Sequence, residues 1–155
     1  MKIKYPEMEK RILKNGLTVY VAEHHEQPAV FFQLLIPVGN FDVTVGKEGL
    51  ASMAVDMLSK GTKNNHADAL SEAIEFTGGS LSASSGNEYT TITGRFLKED
   101  LITGLELMSD ILLRPTFPED EWKLLKKQTL EGIKTWYSDA GTVAQSHLTK
   151  LAFGN

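Results

Sequence analysis

Cysteine is absent from the 155-residue chain. That excludes disulfide stapling, thiolate metal sites and a cysteine nucleophile, and it fits a reducing compartment. No apolar run reaches the roughly 18 residues of a membrane-spanning helix. There is no basic block either. Lys and Arg number 16 against 20 Asp and Glu, for a net charge of −4. Nucleic acid and anionic membrane are therefore poor candidates for partners. The opening MKIKYPEMEK has no apolar stretch behind it, so no secretory signal is read. These absences describe a soluble chain, cytoplasmic or periplasmic if bacterial, with the compartment left unknown.

Histidine is also scarce. His24, His25, His66 and His147 are the only four, and no two lie three or four residues apart. A zinc site on a helix needs two imidazoles about one turn apart, so that both rings reach one ion. His24-His25 in a strand would point to opposite faces, and His66 reads as a helix start. No G-x-S-x-G elbow or GxxxxGK[ST] loop exists. Gly78-Gly79 precedes a strand, so it does not open a phosphate-binding helix. Glu119, Asp120 and Glu121 read as a capping run, and Asp110 as part of a polar helix face. Residue chemistry alone assembles no catalytic constellation.

What is present is a globular pattern. Hydrophobic residues at 41% with charged residues at 23% can bury a core. Residues 8–23 read as a hairpin around Asn15-Gly16. AVFFQLLIPV at 29–38 is nearly continuously apolar and predicts a central strand. GLASMAVDMLSKGT at 49–62 predicts a helix whose buried stripe is Leu50, Met53, Ala54, Met57 and Leu58. A second helix is expected at 66–77, buried through Leu70, Ala73, Ile74 and Phe76-Thr77, and stopped by Gly78-Gly79. Strands follow at 80–84 and 88–97. Leu101, Leu105, Met108, Ile111 and Leu112 mark a third helix ended by Pro115. Pro118 and the acids after it start a long helix through Trp136. A last helix covers about 142–152, and Gly154-Asn155 then signals a turn. That ending predicts a truncated domain, with a naturally short C-terminus as the alternative. The order of elements gives an α+β fold, a mostly antiparallel sheet with helices packed on one face, in one domain over 1–155.

Four segments carry a family resemblance: LKNGLTVYVAEHHEQPAV at 13–30, GLASMAVDMLSKGTK at 49–63, LSEAIEFTGGSLSASSGNEYTTITGRFLKEDL at 70–101 and LELMSDILLRPTFPEDE at 105–121. Together they resemble the amino-terminal half-domain of the M16 peptidases, the inverted-zinc-motif family of pitrilysin, insulin-degrading enzyme and mitochondrial processing peptidase. The resemblance implies a LuxS/MPP-like half-domain. In active members a helix carries His-x-x-Glu-His: two histidines bind zinc, the glutamate activates water, and a distal glutamate completes the ligand set. Carried over by position, the histidines fall on Ser52 and Asp56, the general base on Val55, and the distal ligand on Gly132, beside Glu131.

A serine hydroxyl is a poor neutral zinc ligand. Valine cannot accept a proton from water. Glu131 points about 100° away from position 132 on a helix, so it is no clean substitute. The resemblance thus implies no catalytic residue and no metal in this segment, although active members use zinc. It implies a second M16-like half or subunit as partner. It also implies an edge strand at Ser80, Leu81, Ser82, Ala83 and Ser84 where extended peptide could add by β-augmentation. Two other readings stand beside the non-catalytic subunit: a zinc endopeptidase whose motif lies outside this segment, and a pure scaffold or protein-interaction domain.

Overall fold

A computed structural model of the chain describes residues 6–153. The turn signal at Gly154-Asn155 lies outside the described residues. The first two strands, β1 (Met8–Ile12) and β2 (Thr18–Ala22), form the expected hairpin, in antiparallel register from Met8↔Ala22 to Ile12↔Thr18. Gly16 takes the left-handed turn position at φ 87°, and its N–H donates to the Leu13 carbonyl at 2.9 Å. His24 and His25 lie beyond the end of β2, exposed beside Glu26 and Glu23, rather than within a strand.

The main sheet joins β3 (Ala29–Ile36), β4 (Ser80–Ser85) and β5 (Thr90–Leu97), all antiparallel in the order β3-β5-β4. The central strand is therefore β5, not β3 as its apolar run suggested. Alternation explains the difference. Leu34 and Ile36 face the helices, whereas Phe31 and Leu35 turn to the opposite, open face and are 64% and 57% exposed. In this structure the continuous apolar run does not mark a strand covered on both sides.

Among the described residues there are five α-helices: α1 (Leu50–Met57) and α2 (Ala67–Phe76) between β3 and β4, and α3 (Leu101–Leu113), α4 (Glu119–Ser138) and α5 (Ala140–Phe153) after β5. The core is Leu70 of α2, Ile92 of β5, and Leu107 and Ile111 of α3, with Leu34, Leu81, Ala83 and Ile74 packed against it. This is the expected α+β arrangement, with helices on one face of an antiparallel sheet. Three buried faces differ from the periodicity reading. On α3 the buried side runs through Gly104, Leu107 and Ile111, while Leu105 is exposed. Gly104 hides this face in the pattern, because the Phe96 ring lies where its Cβ would be, 2.5 Å away. On α2, Phe76 is 94% exposed. On α1, Leu50 and Ala54 are exposed and Val55 and Met57 are buried. That short helix contacts β4, the Asn40–Asp42 turn and α4, so it has no single buried stripe.

The Gly78-Gly79 pair divides its work. Gly78 terminates α2 at φ 60°, a left-handed C-terminal position. Gly79 gives up its Cβ to the Phe96 ring, which would stand 2.4 Å from it. Phe96 thus fits between two glycines from different elements, and stacks on Phe32 at 5.9 Å.

The segment after α1 is pinned by a buried carboxylate. Asp110, read from sequence as part of a polar helix face, is only 3% exposed. It accepts hydrogen bonds from the Thr62 hydroxyl, from Asn64 Nδ2 at 2.6 Å, and from Arg114 Nε at 2.6 Å. Backbone pairing completes the junction. Lys63 N–H donates to the Arg114 carbonyl at 2.9 Å, and Thr116 N–H to Gly61 at 3.0 Å. Burial opposes ionisation of Asp110. The hydrogen bonds from Thr62 and Arg114, with the Arg114 charge, outweigh it and hold the carboxyl below its usual range.

Asp110→Ala is expected to cost about 3 kcal/mol, since it strands several polar partners. A group with a lowered folded-state pKa stabilises fully above its unfolded value of about 4, and that contribution fades as pH falls through the lower folded value. Urea unfolding of wild type and variant should therefore differ most near neutral pH and converge in acid. A difference independent of pH would contradict this account.

Candidate functional site

A cleft opens between α1, α2, the edge strand β4, α3 and the first half of α4. β4 pairs with β5 on one side, and among the described residues no strand pairs with its other side. In an antiparallel strand, alternate residues turn their N–H and C=O groups away from the neighbour, so β4 presents free backbone donors and acceptors along that edge. Its side chains alternate as expected. Ser80, Ser82 and Ser84 are exposed, while Leu81 and Ala83 turn toward the helices.

Beside this edge lies a cavity of about 300 Å³. Its apolar lining comes from Val55, Leu70, Ile74, Leu81, Ile111 and Leu125. Ser59, Lys60, Asp56 and Ser82 supply the polar lining. Lys60 Nζ, in the turn after α1, is 3.9 Å from Glu121 Oε2 at the start of α4. Asp56 is exposed and makes no ion pair among the described residues.

The residues singled out by sequence converge only in part. Val55 and Asp56 share the cavity with Leu81, Ser82 and Ala83. Ser52 is half-buried and donates through Oγ to Asn40 Oδ1 at 3.4 Å, on the side of the Asn40–Asp42 turn. Gly132 is exposed on α4 with open space around its Cβ position. From α4, Leu125 lines the cavity instead. The sequence reading missed Leu125, Leu70 and Ile111 as wall residues. Leu70 and Ile111 were legible only as core positions, and Leu125 only as a point on the long helix.

A family model described as Insulinase (Peptidase family M16) matches residues 18–155. The chain belongs to peptidase family M16. Its relatives include an uncharacterized zinc protease of Rickettsia bellii, 33% identical over 70% of this chain and 26% of the relative. Human cytochrome b-c1 complex subunit 1 is 34% identical over 69% of this chain and 22% of that protein. Among solved structures, the peptidase M16 inactive domain from Pseudomonas fluorescens superposes with a TM-score of 0.85 at 22% identity, covering 93% of this chain and 35% of that one. That likeness shows the fold. The chain spans about a quarter to a third of the zinc proteases of Rickettsia bellii and Bacillus subtilis that it matches.

Zinc belongs to the family, so the residues present must be tested against it. Among the described residues no group of three or more His, Asp or Glu side chains stands close enough to hold a metal ion. No buried side-chain nitrogen or oxygen there lacks a hydrogen-bond partner, so none is left aimed at an ion. Asp56 brings one carboxylate, Ser52 a hydroxyl already directed at Asn40, and Val55 no donor atom. This donor set does not fit zinc.

The α1 surface contributes packing more than polar chemistry. Ser52→Ala is expected to change stability by less than about 0.5 kcal/mol, because a long, half-exposed hydroxyl contact contributes little. Val55→Ala should cost about 1–2.5 kcal/mol from lost burial and a larger cavity. Chemical denaturation of both variants checks the order; a larger loss for Ser52→Ala would reverse this assignment of roles.

Proposed function

We propose that this M16 chain is the non-catalytic half or subunit of a peptidase-like assembly. On this reading it packs against an active M16 partner and holds extended peptide along β4. The observation that carries the proposal is the state of α1. Ser52, Val55 and Asp56 stand where the family resemblance puts the two zinc histidines and the general base. The helix remains packed against β4 while offering no imidazole and no base at the central position. Hydrolysis by the family mechanism needs both an activated water and a proton acceptor. This segment supplies neither.

Two further facts support the reading. Among the described residues no strand pairs with the outer edge of β4, the feature that β-augmentation requires. An inactive M16 domain shares the fold closely. The partner and the peptide belong to the whole protein, and Ser80–Ser84 is the stretch assigned to peptide contact.

The test uses the full-length protein, alone and mixed with an active M16 homologue from the same organism. Alone, it should bind less than about 0.1 equivalent of chelator-sensitive zinc and cleave no unfolded peptide, because a single carboxylate with a hydroxyl is too few ligands. Mixed, it should co-elute with the homologue and raise cleavage. Stoichiometric zinc together with cleavage by the protein alone would sink the non-catalytic reading. A monomer that never co-elutes would sink the subunit reading.

A further inference from the structure

We propose that the outer face of α4 is a docking surface for α2 of a second copy of this chain. Two copies related by a twofold axis make the contact twice, α2 of each on α4 of the other. The contact lies on the outer side of the helix layer and is independent of zinc, of hydrolysis and of the β4 edge.

α4 carries the first observation. Its inner side holds Trp122, Leu125 and Thr129, which are half-buried. At about 100° per residue, Lys127, Leu130, Lys134 and Tyr137 form one stripe on the opposite side. Both lysines are exposed, as are Leu130 and Tyr137 at 50% and 68%. Residues 123–138 hold four lysines and one acid, Glu131, in a chain whose net charge is −4. The second half of α4 is thus a basic surface with an apolar seam open to water.

α2 carries its complement. Leu70, Ala73 and Ile74 belong to the core side. Asp68, Glu72 and Glu75 occupy the outer side, which ends at Phe76, 94% exposed. The helix has three acids and no lysine or arginine. Among the described residues none of Asp68, Glu72, Glu75, Lys127 and Lys134 makes an ion pair.

Spacing decides the fit. Asp68 and Glu75 are seven residues apart, and so are Lys127 and Lys134. Seven residues rise about 10.5 Å along either helix. Laid parallel, the helices bring Asp68 to Lys127 and Glu75 to Lys134. Phe76 then falls on the side of Leu130 and Tyr137, with Glu131 on the other side. Laid antiparallel, Phe76 falls on the side of Glu131 instead. Like faces, α2 on α2 or α4 on α4, would oppose equal charges. Exposed ion pairs add little affinity by themselves. They set register and partner, while Phe76, Leu130 and Tyr137 supply the apolar area. Each face finds its complement on the same chain, which assigns the occupant to a second copy.

The experiment is sedimentation of the full-length protein over a concentration series. Wild type should dimerise reversibly, and at least about tenfold more weakly as salt rises from about 50 to about 500 mM. Lys127→Glu with Lys134→Glu should lose at least about tenfold in dimer affinity, as should Asp68→Lys with Glu75→Lys. An equimolar mixture of these two variants should recover it. Phe76→Ser should weaken the dimer and leave its salt dependence unchanged. All five positions are exposed, and circular dichroism checks that each variant keeps its fold. Variants that do not recover on mixing overturn the interface. A wild type that stays monomeric at every concentration, yet co-elutes with an active M16 homologue, overturns this contact alone. Loss of that homologue by the lysine variant, with self-association unchanged, gives the α4 face to a different acidic partner and overturns the second copy as its occupant.

Discussion

The carboxylate of Asp110 has left water for the last turns of α3, and its position is tolerable only because Thr62, Asn64 and Arg114 all donate to it. An ionised carboxylate buried without partners would cost more than most single contacts can offset. The partners come from two places in the chain. Arg114 lies at the end of α3, whereas Thr62 and Asn64 lie on the strap between α1 and α2. Satisfying one charge therefore fixes where α1 ends relative to where α4 begins. The backbone pairs Lys63–Arg114 and Thr116–Gly61 fix the same junction. Since α1 and α4 are two walls of the cleft, its geometry follows from a charge that takes no part in any chemistry there.

Phe96 acts similarly on the sheet's helical face. Its ring occupies the places that Cβ atoms of Gly79 and Gly104 would need. Gly79 begins the approach to β4, and Gly104 lies on α3. A side chain at either position would have to displace the ring, and with it Phe32, on which it stacks. The Gly-Gly before β4 is thus a packing requirement and a helix stop together. It sets how closely the edge strand follows α2.

Much of this was legible in the sequence, and the failures have physical causes. Asn15-Gly16, Gly78-Gly79 and Pro115 located turns and helix ends, because left-handed backbone and a missing N–H leave few alternatives. Alternation placed Leu81 and Ala83 inward. Strand order was not legible. Periodicity reports which side of a strand is apolar, and the run at 29–36 is apolar on both sides although one is open. Asp110 was read as solvated because burial of an acid depends on donors 46 and 48 residues away. Leu125 escaped because a cavity wall is made by the meeting of elements, not by any local pattern. Phe76 shows the converse: at helical spacing it looks buried, and among the described residues it is 94% exposed.

These observations separate two kinds of constraint on one helix. Residues that hold α1 in place, chiefly Val55, Met57 and the Thr62 strap after it, are apolar or satisfied within the fold. The exposed Asp56 and the half-buried Ser52, whose hydroxyl contact is long, contribute little to that packing. A metal site depends on convergent donors, whereas packing depends on volume and on paired polar groups. The two can therefore change independently. On the proposed reading, valine in the general-base position shifts one residue from the first constraint to the second. It replaces a group that would need water and a metal beside it with an apolar one that is 8% exposed and shares a cavity wall with Leu81 and Ile111. The edge strand is unaffected by this exchange, because its backbone groups carry no side-chain identity. On the proposed reading, peptide binding along β4 and metal chemistry on α1 are then separable, and only the second requires the histidines.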